Sequence, residues 1–172
     1  MGSSADALIS GNIDYCSMTD ISFLSGMAGW FSSSADLPIA YCILEQAESL
    51  IGPASDSLDV HFLYSSKIKI YQYRRAERGT EATYRDACER QIAIGEAAAK
   101  AHREEYGGTL PGHPGYDALG VVLERDQRFI ETIALCQQAK AQGWCGDWDS
   151  RIARCEKKMQ RPPRKSVVTA SF

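Results

Sequence analysis

Three histidines, His61, His102 and His113, and six cysteines, Cys16, Cys42, Cys88, Cys136, Cys145 and Cys155, are the side chains best suited to catalysis or metal binding in this sequence. Their spacing forms no local signature. No histidine lies in HExxH and no serine in GxSxG. The glycine-bearing stretches SLIGPAS and YGGTLPGHPG match neither GxxxxGK[ST] nor GxGxxG. Glu104 and Glu105 beside His102 could make an acid–base group, but a run of charges at a helix end is first of all a solvated surface. Cys145, Asp147 and Asp149 come nearest to a ligand set, yet zinc needs more thiolate or imidazole donors at closer spacing. No cysteines pair as CxxC, so the thiols are expected to be scattered, reduced and mostly buried, as in a cytoplasmic protein. The reading is a chain without catalytic residues, metal or cofactor.

A second chemistry is phosphate binding. Arg74, Arg75, Arg78, Arg85 and Arg90 share one stretch with Tyr71, Tyr73 and Tyr84. Arginine among aromatic rings can hold phosphates and stack bases. Against this, Glu77, Glu81, Asp86 and Glu89 interleave, and the sequence pI is 5.6. Ion pairs four residues apart, Glu81 with Arg85 and Asp86 with Arg90, are the expected use. Nucleic-acid binding through Arg74, Arg75, Arg78 and Arg85, within the Arg-rich stretch 74–90, stands as the alternative function. The charge is also uneven. Residues 1–66 hold eight acidic and no basic side chains, and residues 67–172 carry a net +5. Such a split can mark a polyanion-binding half, but because the basic residues are mixed with acids, mutual attraction between two parts of one fold is the favoured expectation.

The elements that must position these groups read as helices. Asp36 is placed as an N-cap and Pro38 in the first turn of a helix over Leu37–Ile51. Its expected stripe is Ile39, Ile43, Ala47 and Leu50, with Ala40, Leu44 and Ile51 beside it, and Gly52 with Pro53 ends it. From Ser57, helical spacing runs through Val60, Leu63, Tyr64, Ile68 and Tyr71. The run KIKIYQY alternates like a strand, but nothing else in the chain could pair with it. Thr80 caps the next helical stretch, Gly95 divides it, and Gly107 stops it. TLPGHPGY is a turn. Two further helices follow, then Gly143 as a stop, and Asp147 as N-cap of a last helix striped by Trp148, Ile152, Cys155 and Met159. No apolar run approaches the ~20 residues that span a bilayer, so no membrane is expected. Residues 1–34 read as an N-terminal extension, partly flexible or docked through the aromatic cluster of Ile21–Phe31. Residues 35–160 form the helical domain, and residues 161–172 a flexible basic tail.

The segment His113–Trp144 resembles a tetratricopeptide repeat. Tyr116, Leu119, Gly120 and Leu123 stand at that family's first-helix positions, and Thr132, Cys136 and Ala139 at its second-helix positions. Thr132 and Cys136 depart from the family's small residue and aromatic, although both are compact. A looser match covers Leu58–Ala76 with Glu81–Ile94. The resemblance implies an all-α fold of antiparallel hairpins, stacked as a short α-solenoid closed by a C-terminal capping helix. Gly120 and Ala139 would allow close helix approach, while Trp144 and Trp148 would fill the final joint. It also implies a non-catalytic adaptor that binds a protein or peptide in a helical groove, through Asp117, Val121, Glu124 and Arg125. The Lys and Asn that this family uses to clamp a carboxylate are missing from those positions.

Overall fold

A computed structural model of the 172-residue chain describes residues 18–72 and 80–160. Eight α-helices succeed one another in them: α1 (Asp20–Ala28), α2 (Leu37–Ser49), α3 (Ser57–Gln72), α4 (Thr80–Ala93), α5 (Gly95–Tyr106), α6 (Pro114–Arg125), α7 (Phe129–Gln142) and α8 (Trp148–Met159). A 3-10 turn, Gly29–Phe31, joins α1 to α2. The described residues contain no strand, only an isolated bridge between Gly112 and Cys145. The all-α expectation is met, and the alternating run KIKIYQY is helical through Gln72. None of the described helices is long and apolar enough to cross a membrane.

The fold is organised around α3, which lies against α1, α2, α4, α5 and α6. Its sequence explains the position. Leu63 and Ile70 point one way and Val60, Tyr64 and Ile68 another, so the helix has no broad polar face. Even Lys67 is buried, at 3% exposure. Its ammonium pairs with Glu48 of α2, and Glu48 Oε1 also accepts a 3.0 Å bond from the Tyr64 hydroxyl. A buried cation is tolerable only with such a partner. One apolar cluster joins α1, α2 and α3 around Leu44 and Leu63, a second joins α3, α4 and α6 around Tyr84 and Ile68, and a third joins α5 to α8 around Tyr116 and Trp148.

Several local expectations are corrected. In α2 the buried face is Leu37, Ala40, Leu44 and Ala47, whereas Ile39 and Leu50 are 47% and 41% exposed. The helix is apolar nearly all round, so its sequence cannot say which side faces α3. Asp36 precedes α2 without capping it, because its carboxylate accepts a 2.6 Å bond from Ser33 Oγ instead. Asp147 likewise begins α8 with no side-chain cap bond. Other signals are realised. Gly95 opens α5, and Gly143 ends α7 in the left-handed region at φ 86°. Trp148 Nε1 then donates to the Trp144 carbonyl at 2.8 Å, closing the turn between α7 and α8. Thr132, Cys136 and Ala139 all face inward, at 1% exposure or less.

Residues 1–17 and 161–172 lie outside the described residues. Of the N-terminal stretch that is described, α1 packs on α2 and α3. Thr19 Oγ1 caps it by accepting from Ser22 N at 3.1 Å.

Candidate functional site: a groove walled by α6

An open groove of about 570 Å³ runs between α3, α4 and α6. Ile68 and Tyr84 form its buried floor, with Ala118 and the 46%-exposed Val121 along the α6 wall. Lys69 and Gln72 stand on the α3 side and Asp117 on the α6 side. Among the described lining residues the surface is therefore apolar in the middle and polar at its margins, where Lys69 and Asp117 carry the charge. Burial raises the Asp117 carboxyl above the usual carboxylate range, opposed by the Arg151 guanidinium 3.6 Å away.

Of the four residues expected to face a partner, Asp117 and Val121 line this groove. Glu124 and Arg125 do not. Glu124 accepts from Arg154 Nε and Nη2 at 2.7 and 2.8 Å and from Lys158 at 2.6 Å, which pins α8 across α6. These cations hold its pKa down to about 2. Arg125 Nη2 donates to Glu81 Oε1 at 2.6 Å and its Nε to Asp126 Oδ1 at 3.1 Å. Arg85 joins the same ring, reaching Glu81 Oε1 at 3.0 Å and Asp126 Oδ2 at 2.5 Å. The expected pairs Glu81–Arg85 and Asp86–Arg90 are thus both formed. Of the arginines considered for nucleic acid, Arg85 is committed to this ring, and Arg74, Arg75 and Arg78 fall outside the described residues.

Behind the groove lies a cluster that the spacing of residues did not announce. His61 of α3 and His113 at the start of α6 are 3% and 0% exposed. The His61 ring is stacked on Trp144, with centroids 5.2 Å apart and planes 3° from parallel. His113 meets the same indole edge-on at 4.7 Å and meets His61 at 4.9 Å. Each imidazole keeps one buried nitrogen without a hydrogen-bond partner, Nδ1 in His61 and Nε2 in His113. Burial lowers the His61 pKa to about 4, with a smaller push from His102. Burial lowers that of His113 to about 3, with a smaller push from His61. Both rings are neutral at pH 7.

His113 also does structural work. It is the N-cap of α6, its Nδ1 accepting from Tyr116 N at 3.3 Å. A histidine is an uncommon cap, which hid the role. The following Pro114, at a helix's favoured first position, was the available clue. Gln91 of α4 completes the joint. Its Nε2 donates to the His61 carbonyl at 2.9 Å and to Ser65 Oγ at 2.5 Å, and its Oε1 accepts from Gly115 N at 2.7 Å. Gln142 Oε1 accepts from both Trp144 Nε1 at 3.1 Å and the Tyr116 hydroxyl at 3.0 Å.

His61, His113 and Trp144 are all almost fully buried. Among the described residues no group of three or more His, Cys, Asp or Glu is placed to hold a metal ion. Asp149, from the weak ligand set in the sequence, pairs with Lys140 at 2.6 Å. Cys88 is buried, and burial pushes its thiol up to about 12, leaving it unreactive. Cys42 and Cys145 are exposed free thiols. Comparison with known protein families, with curated proteins and with solved structures found no match to this chain.

Proposed function

We propose that this chain is a non-catalytic interaction module that takes a segment of a partner protein into the groove between α3, α4 and α6. The observation that carries the reading is the groove itself. Its volume, apolar floor and sparse polar margin are those of a site shaped for a ligand. A segment presenting an apolar residue to Tyr84 and Val121, a cation to Asp117 and an anion to Lys69 would satisfy it. The hairpin α6–α7 with α8 laid across it supports a tetratricopeptide-like reading of that half, with α8 as its cap. Packing of that kind is proposed for α6–α8 alone, since α3 is engaged on several sides.

Val121→Arg combined with Asp117→Lys blocks the wall and reverses its charge. Both positions are on the surface side of α6, so the far-UV circular dichroism should stay that of the parent. The variant is expected to lose, by at least tenfold, proteins that the parent chain enriches from a lysate of its source cells. Equal enrichment by parent and variant would remove the groove from the reading.

A further inference from the structure

We propose that His61, His113 and Trp144 form an acid-sensitive latch that holds the α6 wall of the groove in place; as a statement about function it rests on the groove reading, although the latch itself does not. Its parts are connected through bonded neighbours. Pro114, directly after His113, lines the groove, and so does Ser65, one turn beyond His61. Ser65 Oγ donates to the His61 carbonyl at 3.1 Å. His113 carries the cap of α6, and Gln91 holds the Gly115 amide beside it. A proton on either imidazole therefore acts where α6 is fastened to α3 and α4.

Burial is the main force against protonation of both rings, and for His113 it outweighs backbone hydrogen bonds at His113 and Gln91 that favour the charged form. Within α3 the neighbours of His61 are Phe62 at 5.6 Å and the hydroxyl of Ser65. From α4 comes the neutral amide of Gln91. From α5 come His102, whose charge disfavours a second one on His61, and Arg103, which donates to the Gln142 carbonyl at 2.6 Å. From α6 comes Tyr116, with its ring 4.6 Å from that of His113. From α7 and the following turn come Gln142 and Trp144. None of these side chains is a carboxylate that would stabilise an imidazolium. Two imidazolium rings 4.9 Å apart would also repel each other. A proton on His113 Nδ1 would in addition remove the acceptor for Tyr116 N. The opened state, with both rings in water, takes up protons below about pH 6.5 while the closed state does not. Acid therefore opens the latch.

The test is native-state hydrogen exchange on the full chain, followed between pH 6.5 and pH 4.5. The Gly115 and Tyr116 amides report the latch, and the Leu44 amide in the α1–α2–α3 core reports whole-molecule unfolding. After correction for the intrinsic rate, protection of Gly115 and Tyr116 should fall by about ten- to a hundredfold per pH unit, as expected for one to two protons taken up on opening. At pH 6 both amides should be at least tenfold less protected than Leu44, which marks a local opening. His113→Asn keeps a good cap acceptor and His61→Phe keeps an aromatic ring against Trp144. The double variant should be folded and lose the slope. A slope that survives in the double variant, a flat profile in the parent chain, or protection of Gly115 and Tyr116 equal to that of Leu44 would overturn the latch. The Val121→Arg, Asp117→Lys chain separates the two readings. It should keep the exchange slope while losing partner enrichment at pH 7, so failure of the latch and failure of the groove are read independently.

Discussion

Acidification from pH 7 to about pH 4.5 is expected to lower the free energy of unfolding by about 3–5 kcal/mol, measured by urea denaturation at a series of pH values. The sign follows from where protons bind. In the unfolded chain both imidazoles titrate near their ordinary 6.5. In the folded chain burial holds His61 to about 4 and His113 to about 3. Between these limits the unfolded chain binds more protons, so stability is full above pH 6.5 and is lost as pH falls toward 4. Each imidazole contributes roughly 2 kcal/mol over the interval, at 1.36 kcal/mol per unit of separation. Glu81, Asp126 and Glu131 are held down by arginines, so with Glu124 they act mainly at and below the acid end of the window. The cations around Glu124 depress its pKa to about 2. Its contribution is therefore present above the ordinary carboxyl range and is lost only in stronger acid. Replacing both imidazoles as above should flatten the profile between pH 6.5 and 4.5. A parent chain equally stable at pH 7 and pH 4.5 would show that the imidazoles are hydrated or paired.

Gly115→Ala is expected to cost about 2–3 kcal/mol, while Gly120→Ala, five residues along the same helix, should change stability by less than about 1 kcal/mol. Alanine is the better helix former by up to about 1 kcal/mol, so propensity alone predicts that both changes stabilise. Packing separates them. A methyl group on Gly115 would stand 3.0 Å from the Cys88 carbonyl and 2.8 Å from Gln91 Oε1. The first is backbone of α4. The second belongs to a fully buried amide, bonded at both ends to His61, Ser65 and Gly115 itself. Neither can step aside without parting α4 from α6 or stranding buried polar groups. A methyl on Gly120 would meet Arg151 Nη1 at 2.4 Å. That is the end of a flexible side chain, whose ion pair with Asp117 is already long at 3.6 Å. Chemical denaturation at pH 7 distinguishes the two, and equal effects would mean that α4 and α6 approach differently.

Gly120 also shows how far the sequence could be read. It was expected to let a helix approach closely, and what stands against it is a side chain rather than a helix backbone. The neighbour is the Arg151 side chain reaching from α8, which no spacing within α6 could reveal. Helix existence was legible because stops such as Gly143 and breaks such as Gly95 act locally. The burial of α3 was legible too, since Val60, Leu63, Tyr64, Ile68 and Tyr71 stood out at helical spacing and all are buried, although on more than one side. The inner face of α2 was legible only in part: Ala40, Leu44 and Ala47 were among the apolar residues singled out, but Ile39 and Leu44 are chemically alike and only the position of α3 decides between them. Among candidate site residues, Asp117 and Val121 fall in the groove because both lie on one side of α6. Glu124 and Arg125 lie further along and are drawn away by Arg154, Lys158 and Glu81 from other helices. The imidazole–indole cluster was invisible for the same reason. His61, His113 and Trp144 are far apart in the chain, and each looks ordinary alone.

The most direct measurement on the groove is photocrosslinking in the source cells with a benzophenone amino acid placed at Val121, and separately at the exposed position of Glu104 on α5. Occupation of the groove by a partner segment predicts a discrete crosslinked protein from position 121 that is lost when Lys69 is also replaced by Glu, with no such product from position 104. The same products from both positions, or none from position 121, would contradict a groove made for a partner.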